Sequence, residues 1–345
     1  MPPLDETLKA IEKRYPGAVI RGNDPSLVIE HLPTGILALD SVVGGFARGR
    51  HTEIFGGYGV GKTATTYRFI AHSQAHGLKC AFIDVESTFD PAFAAHLGVD
   101  LEMLVFPERG QNANVLVNIM ETLLRSGEYD VIVLDSIAAL LPKAEEESDM
   151  ESGNFGTQQA KLMSQALRRL TAANRRTALV YINQTREAIG VMFGKKTVTS
   201  GGRAMAFYAG TRLEMVRTES VKKKVRRINH KTSAETKEEV VWGHRVLVRV
   251  DKDKTGRTQQ GAETTMVFSY DLNDFDPIED LIYLGRLLNL IHVSGTKWYI
   301  DGQQESTGRA RFKRWLRENV EQQVNLEEAI RSVEKVDENG EDDEI

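Results

Sequence analysis

The residues best suited to do chemistry lie in one run, Gly56-Gly57-Tyr58-Gly59-Val60-Gly61-Lys62-Thr63, which fits the spacing G-x-x-x-x-G-K-[ST]. Glycines at those positions let the backbone turn until successive N–H groups face phosphate oxygens. Lys62 would neutralise the β- and γ-phosphates of ATP, the start of the following helix adds positive potential, and Thr63 can ligate Mg²⁺. The bland alternative is a glycine-rich strand-to-helix turn with a chance lysine, and the full spacing argues against it. A second part of the same chemistry is Val131-Ile132-Val133-Leu134-Asp135-Ser136, an apolar run ending in a carboxylate that can hold the Mg²⁺ shell across from Thr63. Alone it says little, because many buried strands end in aspartate; the phosphate loop upstream gives it meaning. Phosphoryl transfer to water also needs a group that orients or deprotonates the water. Phe82-Ile83-Asp84-Val85-Glu86 offers two, Asp84 and Glu86, and pleat alternation puts both on one face, so periodicity does not choose between them.

A sheet must hold these groups in place. Between about residues 31 and 274, short β-branched or apolar runs at 51–55, 79–85, 131–135 and 178–183 alternate with helical patterns starting at Lys62, Asn112 and Gln158. That alternation predicts an α/β fold, a P-loop NTPase core with a mostly parallel, doubly wound sheet built from right-handed crossovers, with the site at the carboxyl ends of its strands. Residues 243–250 and 264–270 read as paired strands extending the sheet. A short amphipathic helix over 4–14 ends before Pro16. After Pro277, helical patterns at 279–290 and 310–320 flank a strand at 297–300. The expected division is therefore 1–30, a helix and linker for subunit packing; 31–275, the ATPase core; 276–333, a small C-terminal α/β domain; and 334–345, a disordered acidic tail.

Composition narrows the class. The 345 residues are 41% hydrophobic and 27% charged, an ordinary soluble balance, and no apolar run approaches a membrane span or a secretory leader. A cytoplasmic protein is expected. The net charge of −5 argues against nucleic-acid binding until its distribution is considered: residues 334–345 alone carry −6, leaving the body near +1. Cys80, the single cysteine, sits in an apolar run and reads as a core residue.

Taken together the motifs resemble the bacterial RecA recombinase family across about residues 30–320. The resemblance rests on the phosphate loop, on Ala81-Phe82-Ile83-Asp84-Val85-Glu86, on 131–140 followed by Pro142-Lys143-Ala144-Glu145, and on Met163-Ser164-Gln165-Ala166-Leu167-Arg168. Above all it rests on Ile182-Asn183-Gln184 with Ile189-Gly190-Val191-Met192-Phe193-Gly194 and Gly201-Gly202. A hexameric helicase shares the core but has no claim on 183–202. A non-catalytic scaffold would have lost Glu86, Lys62 or Thr63.

The resemblance implies a RecA-like core and a DNA-dependent ATPase. Such an enzyme forms a helical homo-oligomer on single-stranded DNA, takes up double-stranded DNA, exchanges strands and uses ATP and Mg²⁺ in the cytoplasm of a bacterium or a phage-infected host. It implies that Glu86 activates water and that Gln184 senses the γ-phosphate. Lys252 and Lys254 are implied to reach the ATP of the neighbouring subunit, and Asp90 and Phe93 to belong to the nucleotide-binding residues, with Phe93 stacking on adenine where the family has tyrosine. Phe207 matches a subunit contact. DNA would lie against two loops, 145–156 with Asn154, and 185–200 with Arg186, Ile189, Gly190, Val191, Met192, Phe193, Lys195 and Lys196, continuing into Gly201, Gly202 and Arg203. The chain departs from the family at Glu187 and Ala188, where more hydrophobic or basic residues are usual, and in a longer, more basic segment at 217–237. That segment reads either as a solvated hairpin or as an auxiliary duplex contact. Arg309, Arg311, Lys313, Arg314 and Arg317 around Trp315 match a duplex-capturing C-terminal domain, with which the acidic tail would compete.

Overall fold

The structure, a computed structural model, describes residues 4–140, 155–187, 197–200, 203–228 and 235–339. Two compact units separate at the boundary between Glu30 and His31. In the first, helix α1 (Leu4–Arg14) opens on Asp5 and Glu6 and closes on Lys13 and Arg14, charges that complement the helix dipole. Arg21 reaches back to Asp5 at 2.6 Å.

The second unit opens with β1 (His31–Leu32), α2 (Leu37–Val43) and β2 (Phe46–Ala47). The nucleotide-binding pattern follows as β3 (His51–Gly56), α3 (Lys62–Ala75), β4 (Cys80–Asp84), α4 (Pro91–His96), β5 (Leu104–Val105), α5 (Ala113–Ser126) and β6 (Val131–Asp135). Next come α6 (Phe155–Ala173), β7 (Ala178–Glu187), β8 (Thr197–Thr199), α7 (Ala204–Tyr208), β9 (Thr211–Ile228), β10 (Glu235–Asp253), β11 (Glu263–Ser269) and β12 (Asp274–Phe275). The C-terminal part contains α8 (Pro277–Leu287), β13 (Ile291–Ser294), β14 (Lys297–Ile300), β15 (Gln303–Thr307), α9 (Arg309–Glu318) and α10 (Val320–Asn339).

The main sheet runs β12-β11-β10-β9-β3-β7-β6-β4-β5. From β9 through β5 every pairing is parallel, and the β9-β10-β11-β12 side is antiparallel. The central strands read as continuous apolar runs because both faces are covered. Cys80 and Phe82 of β4, Val131 and Val133 of β6, and Val180 of β7 enter one core; Ala81, Ile83, Ile132, Leu134, Leu179 and Tyr181 enter the other. Cys80 is fully buried and burial pushes its thiol up to about 12, as a core role requires.

Several expectations change. Strand β9, central to the sheet, has no counterpart in the sequence reading, which began a basic insertion at Arg217; that insertion is the β9–β10 hairpin. The segment 185–200 is not irregular at its ends: Thr185, Arg186 and Glu187 pair antiparallel with Thr199, Val198 and Thr197. Helix α10 continues through Asn339, six residues into the stretch expected to be disordered. The core containing Leu32 and Ile54 also takes in Ile278, Trp298, Phe312 and Ile330, so residues 276–333 share it. Among the described residues no helix is long and apolar enough to cross a membrane.

Candidate active site

The carboxyl ends of β3, β4, β6 and β7 meet at a cavity of about 510 Å³. The phosphate loop forms one wall. Gly56 is required by proximity, since a Cβ there would lie 2.1 Å from the carbonyl oxygen of Met215 on β9. Gly61, just before α3, has φ +91°, and a Cβ would meet the Phe275 ring at 2.9 Å. Lys62 is buried and its Nζ donates to the carbonyls of Gly56 (3.1 Å) and Gly57 (2.6 Å). Burial lowers the pKa of that ammonium, against the opposing pull of Asp135 and Glu86.

Thr63 Oγ1 donates to Asp135 Oδ2 at 2.8 Å. Burial raises the Asp135 carboxyl to about 6, with Glu86 and Asp84 pushing the same way and the Thr63 hydrogen bond and Lys62 opposing. A hydroxyl and a carboxylate so placed are hard oxygen donors, which fit Mg²⁺ completed by phosphate and water. Among the described residues no cluster of three or more His, Cys, Asp or Glu side chains could hold a metal unaided.

The environments of Asp84 and Glu86 diverge where β4 stops. Asp84 ends the strand and turns its carboxylate back on the chain, accepting from the N–H groups of Thr88 (3.3 Å) and Phe89 (3.0 Å). Glu86 lies beyond the pleat and lines the cavity, where its Oε1 accepts from Gln184 Nε2 at 2.8 Å and from the Ser136 hydroxyl. Pleat alternation does not carry to residue 86, because the strand ends at Asp84.

Phe93 also lines the cavity, edge-on to Tyr67 with ring centroids 5.8 Å apart. Asp90, expected among the nucleotide-binding residues, does not line it: its Oδ1 caps α4 by accepting from the N–H of Ala92 (2.9 Å) and Phe93 (3.1 Å). Tyr58, Gly59 and Val60 are in the wall as expected. The opposite wall was not foreseen. It consists of Arg217, His244, Phe268 and Tyr270, with His244 stacked 5.5 Å from Phe268 and its Nδ1 3.1 Å from the Tyr270 hydroxyl. These residues converge only through the register that sets His244 opposite Phe268, so no local motif announces them.

Lys252 and Lys254 lie outside this cavity. Lys252 Nζ donates to the carbonyls of Ala206 (2.7 Å), Phe207 (3.2 Å) and Ala209, closing the C-terminus of α7. Burial lowers its pKa, with Lys254 and Arg212 adding to the effect. Lys254 is exposed, and Phe207 is 73% exposed, not part of the core. Of the expected DNA contacts, Arg203 is exposed at the start of α7, and Arg186 has its backbone in the β7–β8 pairing. Asn154, Ile189, Gly190, Val191, Met192, Phe193, Lys195, Lys196, Gly201 and Gly202 lie outside the described residues. In α9, Arg309 and Lys313 pair with Glu279, and Lys313 and Arg317 with Asp276, so three of the five bases expected to take up duplex already have carboxylate partners.

The family model described as RecA N-terminal domain matches residues 3–272. Protein RecA of Herpetosiphon aurantiacus is 39% identical over 95% of this chain and 88% of its own length. Protein RecA of Bacillus subtilis is 37% identical over 98% and 93%, and that of Francisella tularensis subsp. novicida 37% over 95% and 88%. With its phosphate loop, its Glu86–Gln184 pair and this similarity along nearly its whole length, the chain belongs to the RecA family, the DNA-dependent ATPases that pair and exchange DNA strands in homologous recombination.

Proposed function

We propose that this chain works as a filament in which each ATP is held by one subunit and completed by the next. The phosphates lie on the 56–63 loop with Lys62, and Phe93 offers its ring to the adenine. Thr63 and Asp135 hold Mg²⁺, which supplies charge neutralisation on the β- and γ-phosphates. Glu86 orients and deprotonates the attacking water, and Gln184 reports the γ-phosphate to the segment that follows β7. Lys252 and Lys254 extend to the neighbouring subunit's nucleotide, and the exposed Phe207 docks beside them. Single-stranded DNA runs along the filament axis against segments 145–156 and 185–203, where basic residues meet phosphates and Ile189, Met192 and Phe193 separate bases. Duplex DNA is taken up by exposed bases, Arg311 and Arg314 among them. Sequence is read by base pairing, and hydrolysis loosens the subunit interface. The chain acts in the cytoplasm.

The observation that carries this reading is the Gln184–Glu86 hydrogen bond at the cavity wall, which links the water-activating group to the strand leading into the DNA segment. Mixing tests the shared site. Glu86→Gln and Lys252→Ala proteins, each inactive alone, should recover about a quarter of wild-type hydrolysis at equal amounts, because one interface in four then has both groups intact. A mixture as inactive as its components would overturn it.

A further inference from the structure

Four adjacent strands, β10, β9, β3 and β7, carry Asp251, Arg212, Glu53 and Asn183, and these side chains make an unbroken line. Arg212 pairs with Asp251 through Nη1, and its Nε donates to Glu53 Oε2 at 2.5 Å. Glu53 Oε1 accepts from Asn183 Nδ2 at 2.8 Å. The Asn183 amide then divides: Nδ2 also donates to the Ser200 carbonyl at 3.0 Å, and Oδ1 accepts from the Gln184 backbone N–H at 2.9 Å. Glu53 and Asn183 are 0% exposed. The Arg212 guanidinium lies 4.6 Å over the Phe55 ring.

A buried ion pair is poor value as a stabiliser, since apolar side chains of the same volume often do as well; its use is to fix one geometry. Here the two ends of the line identify what is fixed. One end is Gln184, which touches Glu86 in the subunit's own cavity. The other is Asp251, next to Lys252, whose ammonium closes α7 under the exposed Phe207. Ser200 and Ala209, on either side of α7, are held by Asn183 and Lys252. Any shift of Gln184 changes the hydrogen bonding of Asn183, and in a low-dielectric interior that change passes to Glu53 and Arg212 undiluted by water.

We propose that Glu53 is a positioning residue that couples the nucleotide in a subunit's own cavity to the cation the same subunit extends to its neighbour, so that successive ATP sites along the filament respond together. The proposal rests on the reading of Lys252 as acting in trans. Glu53→Gln keeps an acceptor for Asn183 and removes the charge that holds Arg212; Asp251→Asn cuts the line at its outer, partly exposed end and serves where the first variant does not fold. The readout is the Hill coefficient for ATP in hydrolysis driven by single-stranded DNA, beside binding of a fluorescent ATP analogue to the free protein. Wild type should give about 2 or more, and both variants about 1, with analogue affinity within about twofold of wild type. A folded variant that keeps the wild-type coefficient, or a wild type that itself gives 1, overturns the coupling. The Glu86→Gln and Lys252→Ala mixture separates the two readings: no recovery refutes action in trans, while recovery with undiminished cooperativity in Glu53→Gln refutes the coupling alone.

Discussion

Gln184 and Ser136 both donate to the same Glu86 carboxylate oxygen, which in the proposed mechanism leaves the other for water. Glu86→Gln should therefore lower DNA-stimulated hydrolysis by about 10² to 10⁴-fold while ATP analogue binding persists, a split that single-turnover kinetics and equilibrium binding resolve. Away from the cavity, Asp280 titrates with consequences for stability. Burial, then Asp276, Glu279 and Asp40, raises its carboxyl to about 8 from 3.8, although the Ala38 N–H donates to it. Its folded-state pKa exceeds the unfolded one, so the native state binds the extra proton. The associated stability is complete below about pH 4 and is lost as pH rises through about 8. Asp280→Asn should flatten this dependence, cutting the fall in Tm between pH 5 and pH 8 by on the order of 5 °C. An identical fall in the variant would show that Asp280 does not carry it.

Asp90 caps α4, which carries Phe93 in the cavity wall, so with Phe93 on the adenine as proposed the cap is felt in nucleotide affinity and not in chemistry. Asp90→Ala should cost about 0.5–2 kcal/mol locally and raise KM for ATP several-fold with kcat nearly unchanged. A change confined to kcat would contradict that role. The phosphate loop and the β6 aspartate were visible in sequence, whereas Asp90 was read as a nucleotide-binding residue and its role as the α4 cap was missed. Strands β3, β4, β6 and β7 were legible because apolar runs buried on both faces need no tertiary context. Strand β9 was not: Arg212 and Glu214 interrupt its pattern, and only the distant partners Glu53, Asp251 and Arg249 make those charges acceptable in a sheet. The Arg217–His244–Tyr270 wall was hidden for the same reason, its members being joined by register across β9, β10 and β11. The bases of α9 were legible as charge, but their pairing with Asp276 and Glu279 at the start of α8 was not.

Charge at the scale of the whole molecule is divided, with −6 on residues 334–345 and about +1 on the rest. Truncation after Val333 removes a net −6 and only the last turns of α10, since the buried Leu326 and Ile330 remain. Uptake of duplex at low salt should rise several-fold in the truncated protein, with the two proteins converging as salt screens the tail. Equal uptake at every salt concentration would dismiss the tail as a competitor. The proposed filament requires that DNA and the neighbouring subunit both act on one ATP. Hydrolysis should be measured with and without single-stranded DNA across a salt titration, for wild type and Lys252→Ala. Stimulation by DNA that falls steeply with salt, and is absent in Lys252→Ala at every concentration, is the predicted result. Hydrolysis indifferent to DNA, with Lys252→Ala as active as wild type, would contradict it.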